Sequence, residues 1–285
     1  METIKITKMQ GLGNDFVILD YPEYEKANKP MSELAKKLCD RNFGIGADGM
    51  IIPNLSPKSK EADIGWYFYN SDGSIAEMCG NGIRCFAKYV KDKKLVNSNK
   101  FAVETLAGII VPEISDDGNI KVKMSVPVLI PEKIPFKGDN NLNYEVKILD
   151  KTFKLNVISM GNPHCVIFIE DESDLLELAK TYGPPLESHQ LFPEKTNVEF
   201  IKIKSKNEMD FRVYERGCGI TLACGTGACA AVVAGILNNL TENKVKVNLL
   251  GGSLIIEWQG SQDNTTHNVF MSGPAEYSFF AEYIL

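Results

Sequence analysis

Two short stretches share one pattern of chemistry-bearing residues. Cys79-Gly80-Asn81-Gly82 and Cys224-Gly225-Thr226-Gly227 both read Cys-Gly-x-Gly, and they stand 145 residues apart in a chain of 285. Each precedes a run of apolar residues at helical spacing: Ile83, Phe86, Ala87 and Val90 after the first, Ala228, Ala231, Val232 and Ile236 after the second. A helix start offers N–H groups with no partner inside the helix, at the positive end of its dipole. A carboxylate can settle there, and a thiol there is expected to give up its proton below the free value of about 8.5. Two such starts facing one cleft would place a thiolate and a thiol on opposite sides of a bound amino acid. That suits removal of an α-proton from one face and return of a proton to the other. Charge building on the substrate carboxylate would meet preorganised N–H donors, each worth roughly 2.7–4 kcal/mol. The chain shows no lysine motif of a pyridoxal phosphate enzyme and no C-x-x-C. The chemistry is therefore expected without cofactor and without metal.

The elements that must position these thiols repeat as well. Tyr69 and Tyr214 are also 145 apart, and Gly13-Asn14 and Gly161-Asn162 are 148 apart, so each half has a Gly-Asn element followed by a Cys-Gly element. Helices are expected over 32–41, 81–93, 172–182 and 226–239. Strands are expected over 2–9, 15–20, 63–70, 101–105, 108–114 and 119–124. In the second half they are expected over 152–159, 164–170, 197–204, 208–215, 244–249, 253–258 and 267–272. The fold class that follows is α+β: two similar, mostly antiparallel β domains, each wrapped around a central helix, with the active site in the cleft between them. The expected domains are 1–126, joined by a C-terminal strand 275–285, and 127–274. The Pro-rich stretch Pro127 to Pro135 marks the boundary.

Composition narrows the function classes. The net charge is −6 with no basic stripe, which argues against nucleic acid. The longest apolar run, Cys229 to Leu237, falls well short of the ~20 residues of a membrane span, and the first residues carry charges where a signal peptide needs an apolar core. A cytoplasmic protein without membrane or nucleic-acid partners is expected. Seven cysteines cannot all pair within one chain, and Cys39, Cys85, Cys165, Cys218 and Cys229 are expected to be packing residues.

Several motifs together resemble the diaminopimelate epimerases. They are Lys8 to Phe16, Asn70 to Ser74, Met78 to Cys85, Met160 to His164, Thr196 to Val198, and Glu215 to Ala230. The resemblance implies cofactor-free interconversion of LL-2,6-diaminopimelate and its meso form, a step toward lysine and peptidoglycan, by a homodimer. It implies Cys79 and Cys224 as the acid–base pair, tuned by His164 and Glu215. It implies that the amides of Gly80, Asn81, Gly225 and Thr226 hold the reacting carboxylate, with Asn14 in the substrate site. Asn70, Asn162, Asn197, Arg216 and the backbone of Glu215 would recognise the distal amino-acid end. The Arg216 guanidinium suits a carboxylate by its planar fork.

Two positions depart from the resemblance. Ile220 stands where many members carry Glu, and Gly49 where some carry Gln. A rival reading is a proline racemase or hydroxyproline epimerase, which resemble the same fold and paired cysteines. Those enzymes have His after the first Cys-Gly, where this chain has Asn81. A second rival, a non-catalytic thiol switch, leaves the anion-binding glycine loops unexplained.

Overall fold

The computed structural model describes residues 2–171 and 173–285. Its contacts divide the chain into two units, one holding the residues up to Val122 together with Gly273–Leu285, the other Lys123–Ser272.

In the first unit one sheet runs in the order Glu276–Ile284, Thr3–Gly11, Asn14–Ile18, Gly49–Asn54, Ile64–Asn70, Val103–Thr105, Gly108–Ile110. Helices α1 (Tyr21–Ala27), α2 (Met31–Cys39) and α3 (Gly80–Asp92) belong to it. In the second unit the corresponding order is Tyr144–Ile148, Lys151–Ser159, Pro163–Phe168, Asn197–Ser205, Glu208–Glu215, Lys244–Leu249, Gly252–Trp258, with Val269–Gly273 beyond it. It carries α4 (Leu175–Glu187) and α5 (Gly225–Leu237).

The two units repeat one pairing scheme. Thr3–Gly11 and Lys151–Ser159 each open an antiparallel hairpin with the next strand, and the Gly-Asn elements are its turns. Gly13 and Gly161 adopt φ of 88° and 99° there, a left-handed backbone that glycine takes without strain. The second strand of each hairpin then pairs in parallel with the following strand, Phe16 beside Gly49 and His164 beside Asn197. That strand pairs antiparallel with its successor, which pairs in parallel with the one after. Parallel neighbours need a crossover of a dozen or more residues. In both units the second crossover contains the cysteine-started helix.

The expected α+β class with two similar halves is thus present, with the parallel pairs as the feature that strand patterning did not show. Expected helices 32–41, 81–93 and 226–239 appear as α2, α3 and α5. For the expected helix 172–182, residue 172 lies outside the described residues. The helix starts at Leu175, where Asp174 caps the N–H groups of Leu176 and Glu177 at 2.7 and 3.4 Å. It ends late, at Glu187, past Pro184 and Pro185, which have no N–H to donate to the carbonyls of Lys180 and Thr181 four residues back. The expected strand 108–114 splits into Gly108–Ile110 and Glu113–Ile114 around Pro112. Helix α1 and the strands Gly49–Asn54 and Tyr144–Ile148 were not foreseen from periodicity.

The two central helices are buried differently. Residues Gly227 to Gly235 and Leu237 of α5 are all buried, and Gly225, Thr226 and Ile236 are half-buried, so the helix has no exposed face. Helix α3 buries Ile83, Phe86, Ala87, Tyr89 and Val90 but ends in exposed Lys and Asp side chains. Each fully buried large apolar side chain contributes roughly 1.5–3 kcal/mol to the fold. The core of the second unit includes Ile134 and Phe136, and Phe136 packs on Phe192 with centroids 5.3 Å apart.

Candidate active site

Each Cys-Gly element places its thiol at the N-cap of a central helix. Cys79 caps α3 with extended backbone (φ −142°, ψ 123°) and its Sγ accepts from the Gly82 N–H at 3.4 Å. Cys224 caps α5 in the same way (φ −125°, ψ 104°), with the Gly227 N–H at 3.4 Å. Sulfur here takes the place that a Ser or Asp oxygen normally holds. Gly80 and Asn81, and Gly225 and Thr226, form the first helical turns, whose N–H groups have no acceptor within the helix.

Around Cys79 the partners are neutral amides backed by an ion network. The thiol donates to Asn14 Oδ1 at 3.5 Å, and the same oxygen accepts from Asn81 Nδ2 at 3.2 Å. Asn14 is held in turn by Asp48, whose Oδ2 accepts from its Nδ2 at 2.5 Å. Arg41 bridges Asp48 and Asp15 at 2.8 and 2.9 Å. Buried Lys8 meets Asp15 at 2.7 Å and donates to the Gly46 carbonyl. Burial would raise the Asp15 carboxyl, but Arg41 and Lys8 hold it below the usual range. Under the helix start, buried Arg84 donates to the carbonyls of Gly80 and Pro274, both at 3.1 Å. Buried Asn81 Oδ1 has no hydrogen-bond partner, which leaves an acceptor beside the thiol. A cavity of about 460 Å³ in this unit is lined by Asn14, Asp48, Asn70, Met78 and Cys79. Asn70 ends the strand Ile64–Asn70 and donates to Ser74 Oγ at 2.9 Å.

Around Cys224 the partners are ionisable. Glu215, at the end of its strand, accepts from Thr221 Oγ1, and its carboxyl and the Cys224 thiol act on each other electrostatically. The Thr226 hydroxyl stands 3.7 Å from Sγ. His164 is fully buried, with Nδ1 2.6 Å from Glu199 Oε1 and Nε2 3.0 Å from Asn162 Oδ1. His164, Glu199 and Cys224 have ligand-type atoms within 4.8 Å of one another, which raises the question of a metal. The 2.6 Å separation is that of a shared proton, whereas two ligands on one tetrahedral zinc stand about 3.3 Å apart. The cluster fits a proton better than an ion.

Asn197 and Arg216 are joined. Asn197 Nδ2 donates to the Pro163 carbonyl at 2.8 Å, and its Oδ1 accepts from the Arg216 N–H at 3.1 Å. The Asn197 side chain thereby braces the backbone on both sides, which fits a supporting role. The exposed Arg216 guanidinium donates to the Glu194 carbonyl at 3.2 Å.

The thiols themselves depart from the expected easy deprotonation. Burial pushes the Cys79 thiol up, opposed by the N–H groups of Gly82 and Asn81 and by the Arg84 charge. Burial together with the charges of Glu215 and Glu199 pushes Cys224 well above the ordinary thiol range. The helix start does favour the thiolate, but in the ligand-free protein desolvation outweighs it. Of the five remaining cysteines, Cys39, Cys85, Cys165 and Cys229 are buried as expected of packing residues, while Cys218 is exposed. Both departures from the resemblance have packing reasons. A Cβ on Gly49 would lie 2.7 Å from the Phe68 ring and 2.8 Å from the Tyr69 carbonyl, so this strand start admits no side chain. Ile220 pairs with Tyr214 and packs against the second unit's core.

Comparison with known proteins defines a fold class first. The chain superposes over 99% of its length on a hydroxyproline epimerase from Agrobacterium vitis, at TM-score 0.68 and 10% identity, covering 93% of that chain. A Bacillus anthracis protein of the PhzF family gives TM-score 0.69 at 16% identity, with both chains fully covered. The fold is the one those proteins share. Sequence then sets the family: the profile described as diaminopimelate epimerase matches residues 6–130 and 156–278. A diaminopimelate epimerase of Halothermothrix orenii is 49% identical over 99% of this chain and 98% of its own length. One from Carboxydothermus hydrogenoformans is also 49% identical, over 99% of this chain and 100% of its own. The chain belongs to the diaminopimelate epimerase family. Among the described residues no helix is long and apolar enough to cross a membrane.

Proposed function

We propose that the protein interconverts LL-2,6-diaminopimelate and meso-diaminopimelate by moving one α-proton between two cysteines, with no cofactor. The observation that carries this reading is the pair of equivalent thiols, each capping a central helix, in a chain that matches the family over nearly its whole length. Epimerisation requires a base on one face of the α-carbon and an acid on the other; Cys79 and Cys224 fill these roles and exchange them with direction. A thiol raised by burial is a strong base once ionised. The α-ammonium group of the substrate, brought beside it, supplies the charge that favours ionisation. As the α-proton leaves, negative charge moves onto the carboxylate, and the first-turn amides Gly80, Asn81, Gly225 and Thr226 are the donors for it. His164 and Glu215 support Cys224. Asn14 orients substrate beside Cys79, and Asn70, Asn162, Asn197, Arg216 and the Glu215 backbone hold the distal end.

The working form on this reading is a cytoplasmic homodimer acting on a small molecule, and light scattering on the purified protein tests the dimer. The reaction is tested by incubating the enzyme with LL-diaminopimelate in deuterium oxide. Deuterium should enter the α-carbon as the meso form appears. Turnover of proline or 4-hydroxyproline without turnover of diaminopimelate would establish the reading of the fold neighbours instead.

A further inference from the structure

The strand Asn197–Ser205 places a residue that none of the matched motifs assigns. Glu199 is fully buried, 2.6 Å from His164 Nδ1 through Oε1. Its other oxygen, Oε2, is buried without a hydrogen-bond partner. A buried carboxyl oxygen without a full hydrogen bond costs free energy, offset only in part by the N–H groups of Glu199 and Cys165 near the carboxyl. Gly227 opens the space for it: a Cβ there would lie 2.7 Å from Glu199 Oε1 and 3.1 Å from Cys224 Sγ. The helix thus has a glycine where the carboxylate and the thiol approach the same backbone atom.

We propose that Glu199 is a positioning residue for Cys224, holding His164 through Nδ1 and setting the negative charge against which the thiol must give up its proton. The proposal deepens the epimerase reading and rests on it for its catalytic meaning. The charged and titratable groups acting on Cys224 are Glu215 from the strand Glu208–Glu215, Glu199 from the strand Asn197–Ser205, and His164 from the strand Pro163–Phe168. Helix α5 contributes only the neutral Gly227 N–H and Thr226 hydroxyl. Burial raises the Glu199 and Glu215 carboxyls themselves, and to the extent that they are ionised both act on the thiol in the direction of higher proton affinity. Glu199 also fixes which edge of His164 faces Asn162, since Nδ1 is committed and only Nε2 remains.

The test needs no substrate, so it stands or falls apart from the epimerase reading. Ligand-free wild type and Glu199→Gln are treated with iodoacetamide across pH. Alkylation of Cys224 and Cys79 in the same protein is then followed by peptide mass spectrometry. The thiolate attacks the methylene carbon and iodide leaves, so the rate reports the ionised fraction. Removing the charge should move the Cys224 profile to lower pH by about one unit, an about tenfold faster reaction relative to Cys79 at neutral pH. An unchanged ratio, or a slower Cys224, overturns the proposal. Should Glu199→Gln not fold, wild type carries the test by proton NMR with 15N-labelled histidine. A strongly deshielded His164 Nδ1–H, as a 2.6 Å contact requires, supports the clamp, and its absence overturns it.

Discussion

The two cysteine-started helices are one solution used twice, in different electrostatic surroundings. Cys79 and Cys224 cap their helices with the same Sγ to N–H distance of 3.4 Å and nearly the same backbone angles. What differs is the second layer. Cys79 meets the neutral Asn14 amide, itself braced by Asn81, with the Arg84 charge beneath its helix start and the nearest carboxylates one residue removed behind Asn14. Cys224 stands in a cluster with Glu199 and His164 and also feels the Glu215 charge. The contrast teaches that the backbone scheme fixes where a thiol stands, while the side chains around it fix how tightly it keeps its proton. Burial raises both thiols; at Cys224 the charges of Glu215 and Glu199 add to it, whereas at Cys79 the Arg84 charge opposes it.

The strongest way to break the comparison is to remove each thiol. Cys79→Ala and Cys224→Ala should each lower kcat for epimerisation by about 10²–10⁴-fold or more, the usual worth of a positioned acid or base. Both proteins should stay folded by circular dichroism. Near-wild-type turnover in either would end the two-thiol mechanism.

A subtler break uses the glycines three residues after each cysteine. At Gly82 an added Cβ would meet Cys79 Cβ at 3.4 Å and the Phe16 ring at 3.5 Å, ordinary contacts. At Gly227 it would strike Glu199 Oε1 at 2.7 Å and crowd Cys224 Sγ and the Phe211 ring at 3.1 Å. Gly82→Ala should therefore leave kcat within a few-fold and the melting temperature unchanged or slightly raised, by helix propensity. Gly227→Ala should cost about 1–3 kcal/mol of stability and, by displacing thiol and carboxylate, about 10²-fold in kcat. Thermal melts and initial rates on both variants decide it. Equal behaviour would show that the second site is no tighter than the first.

Much of this contrast was legible in residue order, and the missing part has a physical reason. The Cys-Gly-x-Gly repeat and the apolar runs behind it located both helices, because capping and amphipathic spacing are local properties. The parallel pairs, Phe16 beside Gly49 and His164 beside Asn197, were not legible, since a crossover's return partner depends on packing between distant segments. Glu199 was hidden for the same reason. In sequence it is a charged residue in a strand with no motif, and only the parallel register that sets His164 beside Asn197 brings it to the imidazole. The expectation that a helix start lowers both thiols failed because it counted the dipole and left out burial, which sequence alone does not reveal.

Chemical labelling ranks all seven cysteines by surroundings. Iodoacetamide near neutral pH should label exposed Cys218 first, then Cys79, then Cys224. The buried Cys39, Cys85, Cys165 and Cys229 should react only on unfolding. Both capping thiols are raised, so their rates should still be climbing at pH values where an ordinary thiol, near 8.5, has levelled. The buried thiols carry a stability consequence with a defined sign. Burial pushes Cys39 and Cys85 up to about 12, so each favours folding fully below the ordinary thiol range, and that contribution is lost as pH rises toward 12. Urea midpoints should fall steadily above pH 9, more than in Cys85→Ala compared with its own midpoint at pH 7. Labelling of Cys224 before Cys79 would reverse the ranking of the two sites.

The smallest expected effect tests whether the first site is also tuned from a distance. Asp48 reaches Cys79 only through Asn14, whose Nδ2 it holds at 2.5 Å while Asn14 Oδ1 faces the thiol at 3.5 Å. Its negative charge acts on Cys79 in the raising direction, but as the weakest of the influences named above. Asp48→Asn replaces a charge-assisted hydrogen bond with a neutral one, a difference of about 1 kcal/mol, and lets the Asn14 amide turn. An about fivefold lower kcat follows if Asn14 orientation limits proton transfer. Alkylation of Cys79 should meanwhile rise by about twofold as the charge is removed, a fraction of a pKa unit. Cys224 should not respond, since its charges come from Glu215 and Glu199. A Cys79 shift as large as that expected of Glu199→Gln at Cys224 would mean that both thiols are governed by carboxylates alike. Neutral amides against the first thiol would then count for nothing.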